Sequence, residues 1–317
     1  MEKSKSITDI EKIENLLKIG EYEKLFRVNF HGYRLYIRQE PFQYFSGLTG
    51  ALSNSTFKGD RDEKRLTGWR NSMIDSFGQK NTDNFVDMTA DFGSLLHMAL
   101  VTIKEKGQID WNEEQDKAYS YFMNSFDKKR IEYDNRTLKK IVYEYQKHVA
   151  SLMQFVYDRV HEIYAIETPA YIEDLRIATP IDLYCLCKQT DKGNLYKTTI
   201  NLKTSNVINK HQLVQVACEV MMWNNTYDEA SCTAIMRTKD WTEGKTPTFE
   251  YKYLPLDEAK VLANDAFKRM RLCLNDESAS YLPFPVNKTF EGVTKIGEKL
   301  EVIEKTLEQE WSSINNE

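Results

Sequence analysis

Between residues 135 and 204 the hydrophobic pattern changes period, and that change constrains the fold more than any other feature of the chain. The stretch RTLKKIVYEYQKHVASLMQFVYDRVHEIY carries apolar or aromatic residues at Ile141, Tyr145, Val149, Leu152 and Val156, which is helical spacing and predicts a helix over 135–164. The following stretch, AIETPAYIEDLRIATPIDLYCLCKQTDKGNLYKTTINLKT, alternates, contains Pro169 and Pro180, and holds the turn TDKGN. It reads as three or more strands, the last two forming a hairpin. In the final strand Thr199, Asn201 and Lys203 share one face, and Ile200 and Leu202 the other. A chain that must bury both patterns is expected to be an α+β or α/β core with an added helical region. The alternative, a helical scaffold with an incidental sheet, would leave Glu167, Asp182 and Lys203 far apart.

The rest of the chain supplies the other elements. Residues 8–19 read as a short amphipathic helix capped by Thr8 or Asp9, and KLFRVNFHGYRLYI as a hairpin around His31-Gly32. FSGLTGALSNST reads as a loop and a short segment, and 61–77, with Leu66, Trp69 and Arg70, as a helix. MTADFGSLLHMALVTIKEK predicts a helix with Leu95, Met98 and Val101 or Ile103 facing a core. Further helices are expected over 112–127, 209–225, 256–275 and 290–313, with strands at ASCTAIMRT and TFEYKYL. The expected organisation is an N-terminal helical and hairpin extension (1–85) packed on a core (86–285), then a C-terminal helix (286–317).

At 317 residues, 41% hydrophobic and 29% charged with both signs interleaved, the chain is long enough for a large core. A net charge of −5 gives no global attraction to nucleic acid, so any DNA-binding surface must be local. Cys185, Cys187, Cys218, Cys232 and Cys273 form no CxxC pair, which points to reduced, mostly buried thiols in an intracellular protein and away from zinc or iron–sulfur ligation. No signal peptide is read, and no apolar run approaches the ~20 residues that span a bilayer.

The polar residues that this pattern brings toward one place are His97, Glu167, Asp182, Asn201 and Lys203, with Gln212, Gln215 and Glu219 as a stripe at offsets of three and four on the next helix. Hard carboxylate oxygens suit magnesium, with manganese as a substitute. A neighbouring lysine suits orientation of a water and neutralisation of charge on a phosphate. Each residue also has a plainer reading. His97 and the helix aromatics pack a core, Asp182 caps a turn after Pro180, and Glu167 lies on a rim. Lys203 guards an edge strand, and Glu219 faces solvent or an ion pair.

Six pieces in order resemble the PD-(D/E)xK superfamily, and more narrowly its RecB-like, phage-type exonuclease domains. They are FSGLTGAL, LTGWR, FGSLLHMAL, ETPAYIEDLRIATPIDLY, INLKTSN and HQLVQVACEVMMW, spread over residues 30 to 255. The resemblance implies a restriction-endonuclease-like core, a mixed sheet flanked by helices, with helical N-terminal additions, and a metal-dependent DNA exonuclease activity. It assigns the family's histidine to His97, its glutamate to Glu167, its aspartate to Asp182, its lysine to Lys203 and its glutamine to Gln215. It implies metal binding by His97, Glu167, Asp182 and Asn201, and catalysis by Lys203 and Asp182 with Asn201 and Glu219. DNA contacts are expected from Gln215, Gln212, Thr204, Ser205, Arg70 and Lys210, with Arg34 and Arg38 as further phosphate candidates. It also implies DNA and protein partners in a phage or recombination complex, in the cytoplasm of a bacterium or infected host.

The chain departs from the pattern where the second acid is Asn201. Three readings of that departure stand open. Glu219 supplies the missing charge from the next helix, the asparagine is an engineered substrate trap, or the chain is a nuclease relic acting in DNA binding or as a structural component of a virion or replication complex.

Overall fold

The computed structural model describes residues 25–31, 33–38, 43–55, 70–72, 74–75, 79–190, 193–205, 207–227, 230–239, 244–274, 276, 280–283 and 312. The helices expected over 8–19 and 290–313 lie outside the described residues, apart from Ser312, as does most of that over 61–77.

The elements run β1 (Phe26–Phe30), β2 (Tyr33–Arg38), β3 (Gln43–Gly47), α1 (Leu48–Ser55), α2 (Gln79–Lys106), α3 (Trp111–Lys129), α4 (Asn135–Arg159), β4 (Val160–Ile172), β5 (Ile177–Lys188), β6 (Leu195–Lys203), α5 (Lys210–Thr226), β7 (Cys232–Thr238), β8 (Phe249–Pro255) and α6 (Leu256–Leu274). The strands form one mixed sheet. The β3–β5 and β6–β7 pairs are parallel and the others antiparallel. Parallel neighbours need a crossover, and α5 supplies it between β6 and β7.

β5 organises this sheet. Along one edge it pairs with β4 over its length, from Ile172–Ile177 to Val160–Cys187. The other edge is shared: Ile177 and Ala178 pair with β3, whereas Leu183 to Lys188 pair with β6. Between these partners the edge forks, and Asp182 sits at the fork.

Each face of the sheet is covered by helices, as expected. α1, α5 and α6 bury Leu48, Leu52, Ala217, Val220, Trp223, Ala263 and Phe267 on one side. α2, α3 and α4 bury Leu95, Ile103, Phe122, Tyr145, Val149 and Leu152 on the other, against Ile200 and Leu202 of β6. Capping fixes the helix starts. Asp110 accepts from the backbone N–H groups of Asn112 and Glu113, Asp134 from that of Thr137, and Asn209 forms a reciprocal capping box with Gln212.

Several local expectations are corrected. α4 ends at Arg159, not 164, because Val160 turns extended and pairs with Cys187. Sheet pairing there outweighs the helical pattern of the preceding turns. The loop expected at the start of FSGLTGALSNST is the end of β3, and the short segment after it is α1. Met98 is 49% exposed, while Ile103 is buried. Pro180 breaks nothing: it lies within β5, directly opposite Pro169. Neither proline has an N–H, so the pair stands at a non-hydrogen-bonded register position. Their ring nitrogens turn outward, Pro180 toward the fork. The hairpin supplies β1 and β2, and with β3 they belong to the same sheet as β4 to β8.

Candidate metal centre

Four elements deliver the central side chains. His97 comes from α2, Glu167 from β4, Asp182 from β5, and Asn201 and Lys203 from β6. One ligand atom each from His97, Glu167 and Asp182 can be chosen so that all lie within 4.8 Å of one another. His97 Nδ1 is 2.5 Å from Glu167 Oε1, and its Nε2 is 3.7 Å from Asp182 Oδ2. The Asp182 side chain is 7% exposed and forms the floor, whereas those of His97 and Glu167, at 30% and 34%, open to solvent. Asp182 does not cap a turn. Its Oδ2 accepts from the backbone N–H of Leu202 at 2.7 Å, tying the fork together where the β5–β6 ladder has ended. Burial pushes the Asp182 carboxyl above its ordinary range, against the pull of the His97 charge. Burial acts to lower the His97 value, but the charge of Asp182 and the hydrogen bond and charge of Glu167 outweigh it and raise it to about 9.

Behind the cluster lies a second set of polar groups. Asn201 Nδ2 donates to both carboxylate oxygens of Glu219, at 3.0 and 3.2 Å. Gln215 Nε2 donates to Glu219 Oε1 at 2.8 Å, and Lys203 Nζ donates to Gln215 Oε1 at 3.4 Å. Glu219 is 2% exposed, so it does not face solvent. Its carboxyl is raised to about 8, by burial first and then by the charge of Asp182, with Lys203 opposing. Of the stripe that the sequence placed on a polar side, Gln215 and Glu219 are buried along with Val216, Val220 and Trp223, because α5 is wedged against the sheet, while Gln212 is half-buried. Lys203 ends an interior strand, between β5 and β7, and guards no edge. The Oδ1 atom of Asn201 is buried and has no hydrogen-bond partner among the described residues.

The cluster suits a metal ion by its donor chemistry, one imidazole nitrogen and two carboxylates, and β6 adds the buried amide oxygen of Asn201. A His97, Glu167 and Asp182 group of this kind could hold a metal ion. The helical-scaffold alternative, which separates Glu167, Asp182 and Lys203, fails on this geometry.

The remaining expected contacts divide. Gln212 spends its side chain locally, accepting from the Asn209 N–H at 3.0 Å and donating to Ser205 Oγ at 3.1 Å. Ser205 Oγ donates to the Val207 carbonyl. Gln215 is held by Lys203 and Glu219, and Arg38 is buried against Tyr171 and paired with Glu173 at 2.7 Å. Thr204 is half-buried, while Arg34, Arg70 and Lys210 are exposed. A cleft of about 520 Å³ is lined by Val101, Lys104 and Glu105 of α2 and by Ile166, the residue before Glu167, and was missed by the sequence reading. Its signal was present in the spacing: Val101, Lys104 and Glu105 follow His97 by four, seven and eight positions, on the same face of α2. All five cysteines are free thiols, four of them buried. No helix among the described residues is long and apolar enough to cross a membrane. No known family model matches the chain, and no curated protein matches it.

Proposed function

We propose that this protein is a metal-dependent deoxyribonuclease of the RecB-like, PD-(D/E)xK type, degrading DNA from its ends with magnesium or manganese. The observation that carries this reading is the meeting of His97, Glu167 and Asp182 within 4.8 Å, with Lys203 reaching the same region from β6. His97, Glu167 and Asp182, with Asn201 Oδ1, would hold the cation. When bound, the cation supplies Lewis-acid activation of water and stabilisation of charge on the phosphate.

The chain's own residues do the rest. Asp182, anchored by the Leu202 N–H, keeps a carboxylate fixed at the floor. The Lys203 ammonium, steadied by Gln215, orients the attacking water and offsets charge developing on the phosphoryl oxygens. The choice of exonuclease over endonuclease, the DNA substrate and a phage or recombination setting rest on the six resembling sequence pieces.

A second reading, a non-catalytic nuclease-fold protein that binds DNA or packs with partners, is favoured by one observation: a neutral Asn201 stands where the resemblance implies an acid. Incubation of linear and covalently closed DNA with the protein, with manganese, magnesium or EDTA, separates the two. Release of nucleotides from linear DNA alone, abolished by EDTA and by Asp182→Asn, supports the nuclease. DNA binding with no turnover under any metal supports the second reading.

A further inference from the structure

The readings open from the sequence treat Asn201 as a defect or Glu219 as a replacement ligand. Hydrogen-bond direction indicates another relationship. An ammonium group only donates, so the bond from Lys203 Nζ fixes Gln215 with its carbonyl oxygen toward the lysine. The Gln215 nitrogen is thereby turned to Glu219, to which it donates at 2.8 Å. Glu219 accepts again, on both oxygens, from Asn201 Nδ2. An asparagine whose nitrogen is held this way must point its carbonyl away from α5. That oxygen, Oδ1, is the buried acceptor without a partner, in a residue that is 4% exposed. The peptide N–H immediately after it holds Asp182. A buried acceptor left without a donor is costly, which is the state expected of an oxygen that a cation completes.

We propose that Glu219 is a positioning residue that aims the Asn201 carbonyl at the His97–Glu167–Asp182 cluster as a neutral oxygen donor to a divalent cation. Asn201 and Glu219 then act as one unit, an amide at the cation and its carboxylate one step behind. The inference rests on the metal-centre reading above. It also reverses an intuitive expectation: restoring an acid at position 201 alone sets two buried carboxylates against each other, whereas exchanging the two groups keeps both the charge and the hydrogen bond.

The test compares the parent with E219Q, N201D and the exchange variant N201D/E219Q. Melting temperature is read in EDTA, and manganese affinity by titration calorimetry. E219Q is expected to weaken manganese binding at least about tenfold, the usual loss when a group orienting a metal ligand is removed. N201D alone is expected to melt several degrees below the parent in EDTA, and N201D/E219Q to recover both the melting temperature and the affinity. Unchanged manganese affinity in E219Q overturns the positioning role, as does an N201D that binds more tightly with no loss of melting temperature. Should E219Q fail to fold, the exchange variant decides: a folded, manganese-binding protein supports the unit, and an unfolded one overturns it. A parent that binds no divalent cation sinks the metal-centre reading itself, an outcome distinct from binding that E219Q leaves intact.

Discussion

Glu167 and Asp182 occupy the facing positions of β4 and β5 that lie between the Ile166–Leu183 and Thr168–Ile181 pairs. Like charges facing each other on adjacent strands destabilise a sheet. Glu167 also has a φ of +48°, a left-handed conformation rarely adopted by a non-glycine residue within a strand. His97 bridges the two acids. Local stability is given up at the same point where the cation-binding groups meet.

The strain can be separated from the chemistry. Glu167→Gly relieves the left-handed backbone, whereas Glu167→Ala keeps the strain, and both remove the carboxylate. In EDTA, Glu167→Gly is expected to be more stable than Glu167→Ala by about 1 kcal/mol, measured by chemical denaturation. Neither variant should show the melting-temperature rise that manganese gives the parent.

The His97 value, raised from 6.5 to about 9, sets a pH dependence. The folded chain holds this proton more tightly than the unfolded chain does. The resulting stabilisation of the metal-free protein is complete below about pH 6.5 and is lost as pH climbs through about 9. His97→Gln should therefore be less stable than the parent at pH 6, with the gap closing by pH 10 in denaturant titrations. A cation must displace this proton, so manganese affinity should rise between pH 6.5 and 9 in the parent. A flat profile would remove His97 from the ligand set.

Lys203→Met should separate metal binding from turnover. The side chain donates to Gln215 but belongs to none of the cation-binding groups. A loss of about 100- to 1,000-fold in kcat is expected, with a manganese-induced rise in melting temperature that is reduced, because Gln215 loses its anchor, but still present. Parallel loss of both would show that Lys203 holds the site together rather than serving the reaction.

Support for His97 comes from the helical layer. Tyr145 Oη donates to the Glu114 carboxylate and lies 3.2 Å from the carbonyl of Leu95, two residues before His97. Burial pushes the Tyr145 phenol far above its ordinary value, the Glu114 charge adding to the effect, so it remains a donor. Tyr145→Phe leaves the buried Glu114 with the more distant Lys117, at 3.9 Å. The expected loss is about 1–3 kcal/mol of unfolding free energy, with the proposed nuclease activity at low temperature little changed.

The change of period after residue 159 determined the class of fold, because a helical stripe and an alternating run cannot be buried by the same kind of element. The faces of β6 followed from alternation alone: Ile200 and Leu202 enter the core beneath α2 to α4, and Asn201 turns toward α5. The meeting of His97, Glu167, Asp182 and Lys203 was legible only as an ordered set, since local spacing says nothing about which strands pair. What the sequence could not disclose depends on contacts between distant residues. The β5 fork exists because β3 and β6 share one edge. Glu219 reads as a surface glutamate by helical spacing, and only the wedging of α5 against β6 buries it. The direction of the Asn201 amide is set by a chain of donors that begins at Lys203 and passes through another helix. Alternation determines which way a side chain leaves its strand; only tertiary packing decides what it meets, because hydrogen-bond partners are chosen by neighbours in space.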